Sequence, residues 1–344
     1  MSETPAPTGL DLAAAAKRAA FFAVVAVVVV VLVSILPGID EVRDRLESAD
    51  PAWIAATAAC AIGSMLGYVR ALWAAFDRML PWRRALVLGT AEQGANVLLP
   101  AGGAGGPALG AYVLRRLGVP GSLAVERHTA LFLATSTVSF VALVVAGFLT
   151  GLGILPGSDH RAWTLVPAAV AATVIALAVV YARRAPPERP GGGDVRRTWW
   201  QVRRFLHSSA STTLQLLRHG DPYFVIGAVG YFAADVASLA CAFQAFGGGA
   251  PPLAIFILAY ALGHAGALLP TPGGVGGVEG GLIGMFVLFG TPFDLAAAAV
   301  LAYRVFQIGF PAILGAAALL RIRYVLAHPP PREAVAAAFS RLEP

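Results

Sequence analysis

The stretch Leu98-Leu99-Pro100-Ala101-Gly102-Gly103-Ala104-Gly105-Gly106 returns, with one residue inserted, as Leu268-Leu269-Pro270-Thr271-Pro272-Gly273-Gly274-Val275-Gly276-Gly277. Each copy ends an apolar run with proline and then a cluster of glycines, residues that stop a helix and widen the backbone's choice of φ. Hydrophobic segments broken at corresponding places in two halves of a chain point to a transport site inside a membrane. The apolar pieces 85–99 and 253–269 run into these breaks, and a second short helical piece follows each. Both copies close on related turns, Leu117-Gly118-Val119-Pro120 and Phe289-Gly290-Thr291-Pro292.

Composition agrees with a membrane setting. Hydrophobic residues make up 58% of the 344-residue chain and charged residues 13%, and the mean hydropathy is +0.73. A soluble chain of this length needs far more charge to cover its surface. Cys60 and Cys241 lie within apolar stretches and read as small buried hydrophobes. The net charge of +6 sits in loops between apolar spans, which fits the positive-inside rule and argues against nucleic acid as a partner.

About 20 helical residues cross the hydrocarbon core, and six stretches qualify: 18–36, 52–76, 128–150, 163–182, 222–246 and 295–320. The first is expected to be an uncleaved anchor. Its apolar run continues to Leu36, no small-residue cleavage pattern follows, and the polar leader 1–16 is long for the n-region of a signal peptide. Residues 37–50 hold Asp40, Glu41, Asp44, Glu47 and Asp50 against Arg43 and Arg45, which places that loop outside. Residues 183–220 hold eight arginines against Glu188 and Asp194, which places that loop in the cytoplasm together with both termini.

Arginine clusters on either side of the first break, Arg78, Arg83 and Arg84 before it and Arg115, Arg116 and Arg127 after it, both fall on the cytoplasmic side. The first broken segment therefore dips in and returns on one face, and the second does so from the opposite face. The expected fold is an all-α integral membrane protein with about six full transmembrane helices and two re-entrant helical hairpins. Inverted repeats cover about 52–150 and 222–320 of a single transmembrane domain 17–322, and 323–344 form a cytoplasmic tail. The loop continues as a basic stretch, Arg196 to Arg218, with Trp199 and Trp200, expected to lie along the inner leaflet.

Peptide groups that leave a helix at membrane depth must bond to protein or water, so the hairpin tips are expected to line a cavity. Glycine lets backbone N–H groups approach a ligand, and the helix start behind it favours an anion. Gly102 and Gly103 in the first tip, and Gly273, Gly274 and Gly276 in the second, are candidates for that contact or for close helix packing. A charge at the bilayer centre costs at least ~2.5 kcal/mol, which singles out Arg70, Asp235, Glu279 and Arg304. Arg304 lies about nine residues, or roughly 13 Å, into its span. Glu279 can cap free N–H groups or pair with Arg304, as functional groups or as a structural salt bridge. Asp235 is either a proton-linked carboxylate or a helix–helix hydrogen-bond partner, and Glu279 is a second candidate proton carrier. Arg70 sits near a span end and reads as snorkelling. Glu92, Gln93 and Asn96 are further cavity polars, and His264 reads as a packed or hydrogen-bonded histidine beside the second break.

These residues resemble the transmembrane, flippase-like region of lysylphosphatidylglycerol synthases and their stand-alone relatives. The resemblance runs from about residue 17 to 322 and is carried by Pro270-Thr271-Pro272-Gly273-Gly274-Val275-Gly276 with Glu279, by Tyr303-Arg304, and by Asn96 with Leu99-Pro100. It implies translocation of a lipid with a polar headgroup between leaflets of the plasma membrane, with Glu279 and Arg304 as the polar core of the second hairpin and Asn96 belonging to the first. Many relatives place an acid and an arginine just after the first hairpin's proline; here Ala104, Gly105 and Gly106 stand there. Lipid lysylation is not expected, since residues 323–344 are all that follows the last span.

The single lysine, Lys17, cannot serve a P-loop, and G-x-S-x-G is absent. The histidines lack metal-ligand spacing, so the sequence predicts neither an enzyme nor a cofactor. The expected activity is movement of a lipid with an anionic or phosphate-bearing headgroup without ATP hydrolysis. A small-solute secondary transporter, or a non-transporting partner of a separate lipid-modifying synthase or glycosyltransferase, is the alternative. The inverted topology is checked by cysteine labelling: Ala101→Cys is expected to react from the cytoplasmic side and Thr271→Cys from outside, and reaction of both from one side overturns the inversion.

Overall fold

The computed structural model describes residues 40–99, 104–157, 161–186, 194–218, 221–247, 249–268 and 271–327. The expected first span, 18–36, and the glycines Gly102 and Gly103 lie outside them. The helices are α1 (Asp40–Glu47), α2 (Pro51–Ala75), α3 (Trp82–Leu98), α4 (Gly105–Arg116), α5 (Gly121–Gly151) and α6 (Arg161–Arg183). They continue as α7 (Asp194–Arg218), α8 (Pro222–Ala245), α9 (Leu253–Gly263), α10 (Gly277–Leu288) and α11 (Phe293–Ala327). No strand occurs among the described residues, and five helices, α2, α5, α6, α8 and α11, are long and apolar enough to cross a membrane. The chain is an all-α integral membrane protein.

The two repeats share their local chemistry as well as their order. Asp50 Oδ1 accepts from the Ala52 N–H at 2.8 Å and Asp221 Oδ1 from the Tyr223 N–H at 2.9 Å, so α2 and α8 open on the same Asp-Pro cap. The hairpins close on equivalent caps. Gly118 (φ 98°) and Gly290 (φ 88°) take the left-handed conformation, while the N–H groups of Val119 and Thr291 bond back to Leu114 and Phe286 at 3.0 and 2.9 Å. Both are Schellman-type endings that require a residue tolerant of positive φ.

Between these caps lie two hairpins of short helices. Residues facing Gly105, Gly106 and Gly110 on α4 come from Ala95 and then Glu92 on α3, so the partners run antiparallel. In the second hairpin Gly266 faces Gly277 and Gly263 faces Gly281 and Leu282, again antiparallel. At ~1.5 Å per residue none of these four helices reaches the ~30 Å of a full crossing. The second arm differs from expectation at its end, where α9 tightens at Gly263 into a 3₁₀ turn over His264–Leu268.

The two repeats meet through α2 and α8. Ser64 Oγ donates to the Tyr231 carbonyl at 3.1 Å, Ser238 Oγ donates to the Thr57 carbonyl at 2.9 Å, and the Asp50 N–H donates to the Ala245 carbonyl at 2.8 Å. Position falls on one helix as it rises on the other, so the equivalent first spans are antiparallel, as inverted repeats demand. The helices approach closely because small residues face each other: a Cβ built on Gly67 would stand 2.5 Å from the Tyr231 nitrogen, and one on Gly227 would stand 2.5 Å from the Ala71 nitrogen.

α11 crosses the first hairpin, where a Cβ on Gly94 would lie 2.6 Å from Gly315 Cα. Reciprocally, α5 packs beside the second hairpin through Gly147 and Leu258. Apolar cores form toward the two ends of the central pair, one of them around the ring cluster of Phe243, Phe256 and Phe286, with centroids 4.5 to 5.4 Å apart. α6 leaves most of its surface outward, with Val166, Val170 and Leu177 exposed, as a lipid-facing helix does.

The basic stretch forms α7, and it is docked to the bundle as well as amphipathic. Thr212 Oγ1 donates to Glu126 Oε1 of α5 at 2.8 Å, Tyr181 Oη of α6 donates to the Arg203 carbonyl at 2.9 Å, and Ser209 and Thr213 are buried. Trp199, Val202 and Leu206 remain exposed on it.

The tightness of the central pair is checked by Gly227→Leu, expected to lower the thermal midpoint of the detergent-solubilised protein by the equivalent of about 1–3 kcal/mol of overpacking. Gly230→Leu, on the same helix with nothing within 4 Å of a new Cβ, is expected to leave that midpoint in place.

Candidate functional site

The second break is a built structure. After the 3₁₀ turn, Pro272–Gly274 form a tight turn in which Gly273 and Gly274 have φ of 61° and 69°, and Gly276, with φ 85°, starts α10. Left-handed conformations in near succession explain why the sequence carries glycine here. The first N–H groups of α10 have no partner within the helix. Glu279, at the third helical position, answers this by accepting from the Gly276 N–H through Oε2 at 2.7 Å.

Its other oxygen faces α11. Arg304 Nε donates to Glu279 Oε1 at 2.7 Å, Nη2 donates to the Gly273 carbonyl at 2.6 Å, and Nη1 donates to Gln307 Oε1. The pairing expected of Glu279 and Arg304 is therefore formed, and Arg304 is 5% exposed. One guanidinium holds the carboxylate, the broken backbone and its own helix together. The tip also touches the first hairpin, since a Cβ on Gly273 would sit 3.6 Å from Val97 Cγ1 of α3.

A second polar group adjoins it. Asp235, buried in α8, accepts through Oδ2 from Tyr260 Oη of α9 at 2.5 Å and from Tyr303 Oη of α11 at 3.1 Å. Asp235 therefore joins α8 to α9 and α11 through hydrogen bonds. Tyr303 precedes Arg304, and the Tyr260 ring stacks on His264 with centroids 4.1 Å apart. His264 donates through Nδ1 to the Tyr260 carbonyl at 2.9 Å, the bonded histidine that the sequence suggested. Two buried atoms beside the break, His264 Nε2 and Thr271 Oγ1, have no hydrogen-bond partner among the described residues.

Other predicted residues lie elsewhere. Asn96 Oδ1 accepts from the Gly106 N–H at 2.7 Å, capping α4 much as Glu279 caps α10. Gln93 Nε2 donates to the Met65 carbonyl at 3.2 Å and ties α3 to α2. Glu92 is enclosed among Tyr68 and His128, neither of which the sequence singled out. Arg70 lies over the Tyr223 ring at 4.7 Å, beside the Arg78–Asp221 ion pair at 2.9 Å, away from either hairpin tip. Among the described residues no three of His, Cys, Asp and Glu cluster to hold a metal.

Tyr68, His128, Tyr260 and Gln307 are polar residues that the sequence alone did not mark. Their hydroxyls, imidazole and amide sit in largely apolar helices, and only the positions of their acidic or basic partners, known after folding, give them a role. The shared turns at 117–120 and 289–292 place Glu279 opposite Pro107 and Arg304 opposite Phe132. The ion pair therefore belongs to the second repeat.

Beside this polar core runs an apolar cavity of about 740 Å³ between α5, α8 and α9, lined by residues including Val141, Val145, Val229, Phe232 and Ile257. Val141, Val145 and Val229 are also exposed, so the cavity opens toward the surface that lipid would cover. Phe232 in its wall meets Tyr260 edge-on, with centroids 5.4 Å apart. One aromatic contact separates the apolar groove from the Asp235 cluster.

Comparison with curated protein sequences finds no match. The family model described as the lysylphosphatidylglycerol synthase TM region matches residues 21–315. That span takes in both hairpins, Asp235, Glu279 and Arg304, and leaves little of the transmembrane domain outside it. The chain belongs to the lysylphosphatidylglycerol synthase TM region family.

Proposed function

We propose that this protein moves a lipid with an anionic or phosphate-bearing headgroup between leaflets, without nucleotide hydrolysis. The observation that carries this reading is a buried arginine at a broken helix tip, beside unpaired polar atoms and an apolar groove that opens laterally. A lipid has two parts that need different solvents, and these two features match them. The headgroup takes the polar core and the acyl chains take the groove.

Arg304 engages described partners through three of the five N–H donors a guanidinium carries. A phosphate oxygen can be met by the remaining donors, and Thr271 Oγ1 and His264 Nε2 supply further polar contacts at the same tip. Glycines at the tip allow close approach without side-chain obstruction. Membership of a family named for a lipid-modifying synthase agrees with lipid handling.

The test uses the full chain in proteoliposomes with headgroup-labelled phosphatidylglycerol. Arg304→Ala is expected to slow movement between leaflets by at least about tenfold, the effect of roughly 1.4 kcal/mol. Because removing one partner of a buried ion pair also destabilises by about 3–5 kcal/mol, Ala233→Trp supplies a second arm. Ala233 lines the groove and is exposed there, so the indole fills the groove without touching the ion pair and is expected to slow movement while leaving the thermal midpoint near that of the wild type. Equal rates in wild type and both variants sink the reading. Saturable uptake of a soluble solute without lipid movement supports a small-solute transporter instead, and movement that appears only with an added synthase supports the partner role.

A further inference from the structure

The buried polar groups of the first repeat have no part in the reading above. Glu92 on α3 is wholly enclosed and His128 on α5 is 3% exposed. Glu92 Oε2 accepts from Tyr68 Oη of α2 at 2.8 Å, and Oε1 lies 3.1 Å from His128 Nε2. His128 Nδ1 lies 2.8 Å from the Ala124 carbonyl oxygen one turn earlier. α4 closes the site from above, where a Cβ on Gly110 would overlap Glu92 Oε1 and His128 Nε2.

This geometry fixes a proton count. A carbonyl oxygen only accepts, so His128 Nδ1 carries a hydrogen and donates to Ala124. A neutral imidazole has one N–H, which leaves a lone pair at Nε2 pointing at Glu92. A carboxylate also offers only lone pairs, and two such atoms 3.1 Å apart repel. The other tautomer moves the same conflict to the Ala124 carbonyl. Both contacts are hydrogen bonds only when the pair holds one further proton, as a carboxylic acid donating to imidazole or as an imidazolium donating to carboxylate.

We propose that Glu92 and His128 form a binding site for one exchangeable proton, occluded beneath α4, and that loss of this proton opens the first hairpin. With the proton the pair is neutral overall. Without it the site becomes a carboxylate beside neutral imidazole, enclosed in a setting where an uncompensated charge is costly. Water must then reach it, and α4 is the cover that can lift, since it contributes Gly110 and no side-chain bond. The proton leaves to the aqueous side on which that hairpin opens, with Glu92 as carboxylate and His128 neutral.

The groups around the site are accounted for element by element. From α2, Tyr68 donates to Glu92 and Phe76 covers the His128 ring with centroids 5.0 Å apart. From α8, Tyr231 meets Tyr68 edge-on at 5.8 Å. From α5, Arg127 bonds the Ala75 carbonyl at 3.2 Å and lies 3.9 Å from Asp77. α11 meets α3 through the backbone at Gly94, Pro311 and Gly315. The described hydrogen bonds to Glu92 come from Tyr68 and His128, so its charge is balanced by the proton rather than by a fixed cation.

The inference does not depend on which substrate moves, and its test uses none. Hydrogen–deuterium exchange of residues 105–116 is followed in the full chain, in nanodiscs of phosphatidylcholine and phosphatidylglycerol. The range is about pH 5 to about pH 9, with intrinsic rates divided out, which brackets histidine and buried-carboxyl titration. Wild-type α4 is expected to lose protection by at least about tenfold as pH rises. Glu92→Gln is expected to keep it at both ends, because its amide donates to His128 Nε2 and has no proton to lose. Identical pH profiles in the two proteins overturn the proposal. If Glu92→Gln does not fold, Gly110→Ala decides: its methyl overlaps the site, so α4 is expected to be unprotected even at low pH, and wild-type protection there overturns the proposal equally.

Discussion

A peptide group that leaves a helix inside hydrocarbon has no water to bond, and the whole arrangement of this protein follows from satisfying two such breaks internally. At the second break the solution is a closed circuit. The Gly276 N–H goes to Glu279, Glu279 to Arg304, and Arg304 back to the Gly273 carbonyl. That circuit needs α11 within reach of the hairpin, which in turn needs α11 to cross α3 closely at Gly94 and Gly315. The position of the last span, the shape of the tip and the contact between the two hairpins are thus one constraint seen from three sides.

The repeats share a scaffold and differ in chemistry. The Asp-Pro caps, the Schellman endings and the antiparallel central pair are common to both halves. The first break is capped by the neutral Asn96, the second by the charged Glu279, which brings Arg304 with it. The first repeat keeps its own acid, Glu92, one turn before Asn96 and sealed against His128. The second half thus holds a fixed charge pair, and the first a carboxyl–imidazole pair to which we assign an exchangeable proton. Tyr68, bonded to Glu92, meets Tyr231 of α8 edge-on, one turn before Asp235.

Much of this was legible in the chain. A proline followed by several glycines favours a helix end, so the hairpin tips could be located to within a few residues. Glu279 and Arg304 were conspicuous because ionised side chains are rare at that depth, and their pairing was expected. Arg70 was conspicuous for the same reason, yet it lies over Tyr223 and faces no tip, because depth alone does not say which way a side chain turns. His128 and Tyr68 were missed, since a histidine near a span end and a tyrosine within a span are ordinary until Glu92 is brought against them. The basic stretch was correctly amphipathic, but its docking on α5 through Thr212 and Glu126 depends on a contact between residues far apart in sequence.

By itself the sequence determined the class, the five spans among the described residues and the places of the two breaks, because transfer into lipid and helix termination act on each segment independently of its neighbours. Only the tertiary structure decided which groups became partners. Hydrogen bonds and proton occupancy depend on distances of about 3 Å between helices. No local pattern encodes that Asp235 meets Tyr260 and Tyr303, or that a glycine on α4 leaves room for Glu92 against His128.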